Sequence, residues 1–505
     1  MQENTNRAIA YNSAILYAKM GITTVCALLT TRFALQALGV VDYGLYAVLG
    51  GIISFISIFN TIMLSTSNRF IAVAIGKGNL DEANKQFNVN LSIHLAIALL
   101  ALVAAYPIGE WYIPRYVNYD GPLSNSMMVF FISIVGCVFS FVGVPYNGLL
   151  MAKEKFIVFS IVDVVSHVLK LAIAWLLVYH FHHKLLIYTI SMAALTAFHT
   201  AVYFIYCKKV YPKIVHLRFV RDKQMYKNVF GFSAWVGIGA IAQVGKNQGA
   251  ALVVNTFFDT VMNTAMGVAS SINAYVGLFA NTITQPMAPQ ITKSYAAGNH
   301  QRTDELLIMS TKYSFLLTLL VGSVFLIAPE WLLDLWLGEA PPFATVFLVL
   351  FIVDHLIMSL NAGIQNIIFA SGKISLFQIC VSTLNVLSVV LGYFVLRGGA
   401  PAYYLTVTYI CVSAVKFFVI QWVLRHTLHY NNQILWKNSY FPSLLTIVLF
   451  VPILFIPIII HPAISIILSF IYLCVLVLFV GLNKKERNQL LGFVKSKLCK
   501  GELPR

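Results

Sequence analysis

The sequence predicts an all-α polytopic membrane protein of about fourteen transmembrane helices, in two pseudo-symmetric six-helix lobes plus two C-terminal helices. Three observations predict this fold class: the composition, a regular series of apolar runs, and an internal repeat. Of the 505 residues, 59% are hydrophobic and only 10% are charged. Soluble domains are roughly 45–50% apolar and 25% charged. The composition therefore excludes an ordinary water-soluble protein.

Apolar runs of about 20 residues, long enough to cross the hydrocarbon core, recur along the whole chain. They lie at 9–38, 43–75, 87–108, 125–150, 157–180, 185–207, 228–254, 262–289, 307–328, 343–370, 374–396, 402–424, 440–460 and 463–481. The first run is too long and too polar for a cleaved signal peptide, so we expect it to remain as a span.

Basic residues indicate the orientation of these spans. If the N-terminus is cytoplasmic, 24 of the 34 lysines and arginines fall in the predicted inside segments and only Arg115, Lys184 and Arg397 fall outside. Cytoplasmic loops carry this excess of positive charge in membrane proteins. We expect a bacterial inner-membrane protein with both termini in the cytoplasm.

An internal repeat appears at an offset of about 218 to 221 residues. The second span ends in AIGKGNLDE at 74–82 and the eighth in YAAGN at 295–299, followed by Asp304 and Glu305. Likewise YNGLLMA at 146–152, with Lys155, matches IQNIIFA at 364–370, with Lys373. Six spans separate the mates, so both copies enter the membrane in the same sense.

The repeat and the loops suggest a division into five segments. These are an N-lobe (1–207), a basic linker (208–227), a C-lobe (228–424), helices 13 and 14 (425–481), and a basic cytoplasmic tail (482–505). The linker carries seven basic residues and one acid, Asp222. It is either an amphipathic segment lying on anionic lipid headgroups or a solvated loop that obeys the positive-inside rule.

Polar residues within the spans indicate a hydrated cavity. In the first span Asn12, Lys19, Thr23 and Thr30 share one helical face, and the second, seventh and eighth spans carry similar stripes. Stripes of this kind also serve helix packing. Their occurrence at repeat-related positions favours the cavity.

Ionisable residues at membrane depth sharpen this prediction, because a charge there costs about 3 kcal/mol or more unless it faces protein or water. The basic ones are Lys19, Arg32, Arg69, Lys170, Lys246, Lys312 and Lys416. The clear acids are only Asp163 and Asp354, so we expect most of the cations to be unpaired. An unpaired cationic lining suits an anionic cargo such as a pyrophosphate.

Alternatives remain for some of these residues. Arg32, Arg69 and Lys312 lie near span ends, where their side chains could reach the headgroups instead. Asp163 and His167, with Lys170, fall on one helical stripe and form either a structural clamp or an ion-coupling site. Asp354 is a second candidate for ion coupling, and its partner is not evident from the sequence.

Catalytic and metal-binding patterns are absent from the sequence. The seven cysteines show no CxxC or other metal-ligand spacing, and the chain has no Walker-type GxxxxGK[ST] motif. Outer loops of about 15 residues lack a nucleophile–base arrangement. We expect neither an enzyme nor a nucleic-acid-binding protein, and no cofactor.

Three motif groups resemble one known family. They are LGVVDYGLY at 38–46, NRF at 68–70 before GKGN at 76–79, and PMAPQ at 286–290 before YAAGN at 295–299. In order and spacing they resemble the polysaccharide (Wzx-type) flippase branch of the multidrug/oligosaccharidyl-lipid/polysaccharide (MOP) exporter superfamily. The likeness covers almost the whole chain.

This resemblance implies a V-shaped two-lobe fold with rocker-switch alternating access. The implied cargo is an undecaprenyl-pyrophosphate-linked oligosaccharide, moved to the outer leaflet for surface polysaccharides such as O-antigen or capsule. The implied partners are this lipid-linked oligosaccharide, membrane lipids and the polysaccharide polymerase machinery. The family's cationic cavity would correspond to Lys19, Arg69, Lys170 and Lys246, with Arg32 and Lys416 as further candidates from their depth. The driving force is left open between Na⁺, H⁺ and the polymerisation gradient.

Other functions compete with this interpretation. A cation-coupled multidrug antiporter and a peptidoglycan-precursor flippase belong to the same superfamily. A membrane polysaccharide polymerase or ligase is the alternative from another class.

Overall fold

A computed structural model describes residues 2–116, 122–258, 260–337, 340–454 and 461–488. The described residues form helices throughout, with no strand among them. In chain order these are α1 Gln2–Gly76, α2 Leu80–Tyr116, α3 Leu123–Ala152, α4 Phe156–Tyr179, α5 Lys184–Val210, α6 Pro212–Val215, α7 Lys223–Phe257, α8 Thr260–Thr284, α9 Met287–Ala296, α10 His300–Ile327, α11 Pro329–Leu337, α12 Ala344–Ser359, α13 Ile364–Ser371, α14 Ser375–Arg397, α15 Tyr404–Leu428, α16 Gln433–Leu435, α17 Phe441–Leu454 and α18 Pro462–Leu476. Wider π-helical turns follow α16 at Trp436–Tyr440 and α18 at Val477–Gly481.

Within the described residues, 11 helices are long and apolar enough to cross a membrane, or 12 if the bent pair α12 and α13 is one span. The two remaining predicted spans correspond to α8 and to the second half of α1. Both are helical, and the polar residues of α8 lower its mean hydropathy. The predicted all-α polytopic fold is confirmed. Parts of the predicted span 440–460, the outer loops and the basic tail 482–505 lie outside the described residues.

The long α1 consists of two helices that meet at Gly39. Its φ of 76° and ψ of 173° are non-helical, in a region that essentially only glycine occupies. The break falls where the sequence predicts the loop between the first two spans.

The predicted span 343–370 is broken rather than straight. Its two halves, α12 and α13, meet at an angle of 44°. Gly363 at the break has a φ of 83°, and a Cβ there would approach the Ser310 side chain to 2.5 Å. Glycine is therefore required both by the backbone conformation and by the close approach of α10.

Repeat-related turns have the same local structure. Gly78 and Gly298 have φ values of 72° and 71°. The asparagine that follows each one caps the next helix: Asn79 Oδ1 accepts from the Glu82 N–H and Asn299 Oδ1 from the Arg302 N–H. The predicted Gly-Asn turns thus end one span and begin the next in both halves of the chain.

The helices pack into two compact units, residues 10–237 and residues 1–9 with 238–505. In the first unit, apolar clusters bury side chains of α1 to α6, including Phe87, Phe130 and Leu149. Large apolar side chains such as Leu100 and Val448 remain exposed along the helices, as a lipid-facing surface requires. The predicted segment boundaries at 207, 227, 424 and 481 stay predictions.

Candidate functional site: two clusters of lysine and aspartate

In the unit of residues 10–237, α1 and α4 are joined by an ion pair at membrane depth. Lys19 Nζ lies 2.6 Å from Asp163 Oδ2, and the two side chains are 18% and 20% exposed. The same ammonium lies 4.1 Å from the ring centroid of Phe159, one turn earlier on α4. A carboxylate and an aromatic face therefore stabilise Lys19 together.

Further titratable groups surround this pair. His167 Nδ1 lies 3.7 Å from Asp163 Oδ1 and 2.9 Å from the Asp163 carbonyl oxygen. Lys170, on the next turn of α4, and His199, on α5, both interact electrostatically with Asp163. We call Lys19, Asp163, His167, Lys170 and His199 the N-cluster.

In the unit that contains residues 238–505, α7 and α12 are joined in a similar way. Lys246 Nζ lies 3.5 Å from Asp354 Oδ2, and the two side chains are 10% and 13% exposed. The Lys246 ammonium also lies 4.4 Å from the ring centroid of Tyr409 on α15, whose hydroxyl donates to the Lys246 carbonyl oxygen at 3.1 Å. This pair is again stabilised by an aromatic face.

A second lysine completes this arrangement. Buried Lys416 on α15 donates from Nζ to Asn385 Oδ1 at 2.9 Å, and Asn385 Nδ2 donates to Gln243 Oε1 at 3.3 Å. Lys416 interacts electrostatically with Lys246 and Asp354. The other carboxylate oxygen of Asp354, Oδ1, is buried and has no hydrogen-bond partner among the described residues. We call Lys246, Asp354, Lys416, Asn385 and Gln243 the C-cluster.

Both clusters contain two lysines and one aspartate. With all three groups ionised and the histidines neutral, each cluster carries a net charge of +1. The pairs join different helices in the two units, α1 with α4 and α7 with α12. The two clusters have the same net charge, although their aspartates lie at different positions in the two units.

The prediction that most deep cations are unpaired is wrong for three lysines. Lys19 and Lys246 pair with the two aspartates, and Lys312 Nζ lies 2.9 Å and 2.8 Å from the two carboxylate oxygens of Glu486. Lys312 is 1% exposed, so its side chain does not reach the headgroups. Glu486 was missed because it lies beyond the last apolar run, in the predicted cytoplasmic tail.

The structural alternative for Asp163, a clamp to Lys170 within α4, names the wrong partner. Asp163 forms its ion pair with Lys19 and not with Lys170, which is seven residues further on. Seven residues rise about 10 Å along a helix, whereas a neighbouring helix brings its side chains to contact distance. The partner of Asp354, which the sequence does not identify, is Lys246.

The two arginines lie outside the clusters. The guanidinium of Arg69 lies against the rings of both Phe70 and Phe232, at 4.5 Å and 4.6 Å from their centroids. Arg32 is exposed on α1. The roles of Lys19, Arg32, Arg69, Lys170, Lys246 and Lys416 in binding cargo, and of Asp163, His167 and Asp354 in ion coupling, stay predictions.

Residues that no sequence pattern singles out also belong to these sites. His199, Tyr409 and Asn385 reach the clusters from helices whose apolar patterns give no sign of it. Gln243 stands out in the sequence only as part of a polar stripe. A one-dimensional pattern shows which face of a helix is polar but not which helix it meets.

Solved structures of similar fold identify the architecture. A point mutant of a MATE transporter matches with a TM-score of 0.74 and 11% identity, covering 84% of this chain and 97% of that one. An outward-facing multidrug resistance MATE family transporter of the MOP superfamily matches with a TM-score of 0.71 and 11% identity, covering 84% of this chain and 96% of the other. The chain has the MATE fold.

A third structure with the MATE fold is a MOP superfamily transporter from Pyrococcus furiosus, described as having a binding pocket of reverse polarity that suggests a different function. Its TM-score is 0.69 at 12% identity, covering 85% of this chain and 97% of that chain. The proteins with which this chain shares the MATE fold are membrane transporters, and the chain is a multi-pass membrane protein like them.

The curated protein EpsK, an uncharacterized membrane protein of Bacillus subtilis (strain 168), is 23% identical over 342 residues. The match spans 65% of the chain and 65% of EpsK, so the chain covers slightly less than two thirds of that relative. No protein-family model matches the chain.

Proposed function

We propose that this protein is a flippase of the bacterial inner membrane that moves a lipid-linked oligosaccharide from the cytoplasmic to the outer leaflet by alternating access. The carrier lipid is undecaprenyl pyrophosphate, and the product serves surface polysaccharide synthesis. The observation that carries the proposal is the excess of positive charge in the N-cluster and the C-cluster. The proposed transport partners are membrane lipids and the polysaccharide polymerase machinery.

The charge balance favours an anionic cargo. An uncompensated charge at membrane depth is costly, and each cluster holds one more ammonium than it has carboxylates. A pyrophosphate group would supply the missing negative charge, and lysine binds phosphate as a compact point charge with three rotatable donors. Lys170 and Lys416 are the surplus lysines, because Lys19 and Lys246 have aspartate partners.

A cation-coupled multidrug transporter is the second candidate. It is favoured by the MATE fold and by the two aspartates at membrane depth, since a carboxylate can exchange a cation for a proton. The two candidates differ in the charge of the transported molecule. The P. furiosus protein indicates that binding pockets of differing polarity occur on this fold.

Complementation of a strain that lacks its own flippase tests the proposal. The wild-type chain should restore surface polysaccharide and clear lipid-linked intermediates from the cytoplasmic leaflet. The variant with Lys170→Gln and Lys416→Gln removes both surplus charges, so intermediates should accumulate at unchanged protein level. Lys373→Gln, at an exposed turn between α13 and α14, is the matched control and should behave as wild type. Full export by the double variant contradicts the proposal.

A binding measurement separates the two candidates. Purified protein is heated with either undecaprenyl pyrophosphate or a lipophilic cation such as ethidium, and its unfolding midpoint is recorded. A ligand that binds only the folded state raises this midpoint. The flippase proposal expects the anion to stabilise the wild type but not the double variant, whereas stabilisation by the cation alone favours the multidrug transporter.

A further inference from the structure

The segment between α6 and α7 has one face bound to the protein and one face exposed. We call residues 216–222 the strap. Leu217 and Phe219 are 69% and 79% exposed, whereas Val220 is 7% exposed and packs with Val229 and Val89 in an apolar cluster. Val220 is the one buried residue of the strap, and its other six residues are exposed.

Two asparagines of α2 hold the strap and the end of α6 in place. Asn84 Nδ2 donates to the carbonyl oxygens of Ile214 and His216 at 2.8 Å and 2.7 Å, and Asn88 Nδ2 donates to that of His216 at 3.0 Å. The Arg218 N–H donates back to Asn88 Oδ1 at 3.0 Å. These bonds restrain the backbone on both sides of Leu217, so its side chain leaves the strap on the exposed side.

Two further side-chain contacts anchor the strap. The Arg218 guanidinium donates to Asp81 Oδ1 at 2.7 Å. Asp222 Oδ1 accepts from the backbone N–H of Gln224 and caps the start of α7. The strap's own acid and one of its arginines therefore serve internal contacts.

The other basic residues around the strap are exposed. None of them forms an ion pair with another residue that the structure describes; they are Lys208, Lys209, Lys213, Arg221 and Lys223. Arg221 lies against the exposed Phe219 ring, with 6.0 Å between the guanidinium carbon and the ring centroid. Apolar side chains and cations thus occur together at the surface of this segment.

We propose that the strap and these five basic residues form a docking surface for the anionic phospholipids of the leaflet from which α5 and α7 emerge. Phe219 and Leu217 enter the region between headgroups and acyl chains, and the basic residues bind phosphate groups above them. The charge complements anionic headgroups, and the segment joins two membrane-length helices, so it lies at the membrane surface. A merely solvated loop would not hold two large apolar side chains outward on a fixed backbone.

Lipid quenching of fluorescence tests the depth of the strap. Phe219→Trp and Leu217→Trp are reconstituted separately into vesicles of phosphatidylcholine and phosphatidylglycerol whose acyl chains carry bromine near the headgroup. The emission of each is compared with that of the parent chain, which has 7 tryptophans. Gln301→Trp, in the exposed polar first turn of α10, is the matched control.

We expect the added emission of both strap variants to be lost in brominated vesicles and to resist iodide in the water. The control should show the reverse. Each variant replaces an exposed apolar side chain by another one, so either variant that elutes as a single species is sufficient. Quenching of the strap tryptophans by iodide and not by bromine overturns the proposal.

The headgroup preference is tested by placing bromine on one lipid at a time, at equal mole fraction. Brominated phosphatidylglycerol should quench the added tryptophan of Phe219→Trp more strongly than brominated phosphatidylcholine, and added salt should reduce the difference. The triple change Lys209→Gln, Lys213→Gln and Arg221→Gln should abolish the difference, whereas removing the same charge at Lys373, Lys437 and Lys484 should leave it. Equal quenching by both lipids in the parent background overturns the role of charge.

Discussion

At the scale of the residue, each aspartate at membrane depth is the counter-ion of a lysine from another helix. Lys19 and Asp163 join α1 to α4, and Lys246 and Asp354 join α7 to α12. Such pairs contribute little net stability once desolvation is counted, but removing one partner leaves an uncompensated charge. The test of each pair is therefore the difference between a single and a double replacement.

Asp163→Asn should destabilise the protein, because the Lys19 ammonium then lacks its carboxylate. Breaking a buried pair costs about 3–5 kcal/mol, and partial exposure of this pair reduces our expectation to about 1–3 kcal/mol. The double variant Lys19→Gln with Asp163→Asn should recover most of the loss in thermal unfolding of the detergent-purified protein. Equal midpoints for the wild type and Asp163→Asn would rule out a stabilising role for the pair.

Glu486→Gln should have a larger effect. Lys312 is 1% exposed and Glu486 is 11% exposed, so little water compensates the loss, and we expect about 3–5 kcal/mol of destabilisation. Lys485→Gln, at an exposed neighbouring position, serves as the control and should leave the unfolding midpoint unchanged. A midpoint for Glu486→Gln that matches the control would show that the ion pair does not hold this segment.

The sequence shows which charges lie at membrane depth but not their partners. Lys19 and Asp163 lie on helices far apart in the sequence, and only the packing of α1 against α4 brings them together. Glu486 follows the last apolar run, where a carboxylate normally faces water. Partner choice depends on the packing of distant helices, and the pattern within a single span does not contain that information.

At the scale of the element, glycine conformation decides where the spans begin and end. Gly39→Ala should destabilise by about 1–3 kcal/mol, because its backbone lies in a region essentially restricted to glycine. Among the described residues, no atom lies within 4 Å of a Cβ added at Gly39, so the cost comes from the backbone alone.

Gly21 supplies the matched control in the same helix α1. A Cβ at Gly21 also meets open space within the described part of the chain, but the backbone there is helical. Gly21→Ala should be neutral or stabilise by about 0.5–1 kcal/mol. Unfolding midpoints that shift in the same direction for both variants would contradict this explanation of the break at Gly39.

The turns could be predicted from the sequence because their chemistry is local. The Gly78-Asn79 and Gly298-Asn299 pairs each need one left-handed residue and one capping side chain, and both have them. The bend between α12 and α13 could not be predicted in this way, because the close approach of Ser310 from α10 is what requires glycine at position 363. Local signals specify helix ends, whereas a break inside an apolar run depends on its neighbours.

At the scale of the whole molecule, the number of spans determines the topology. An even count of about fourteen places both termini on one side, and the basic loops predict that this side is the cytoplasm. Reporter fusions check this: green fluorescent protein should fluoresce when fused after Lys209 or at the C-terminus, and alkaline phosphatase should be active after His182. Phosphatase activity at the C-terminus would contradict the orientation.

The fold class was predictable because composition and run length are properties of the whole chain. Eleven helices of the described part of the chain, or 12 with the bent pair, are long and apolar enough to cross a membrane, and α8 falls short through its polar residues. This helix carries one of the polar stripes that predict a hydrated interior. The polar residues that lower the hydropathy of a span are thus the ones on which the prediction of a hydrated cavity rests.

Two ammonium groups around one carboxylate leave each cluster with a net charge of +1, and this has an electrical consequence. A full elementary charge that crosses the bilayer field exchanges about 2.3 kcal/mol per 100 mV with the membrane potential. Conformational steps that displace either cluster along that field then proceed at voltage-dependent rates even when no cargo is bound. In the proposed alternating-access cycle, the return step without cargo would appear as a transient current across a planar bilayer.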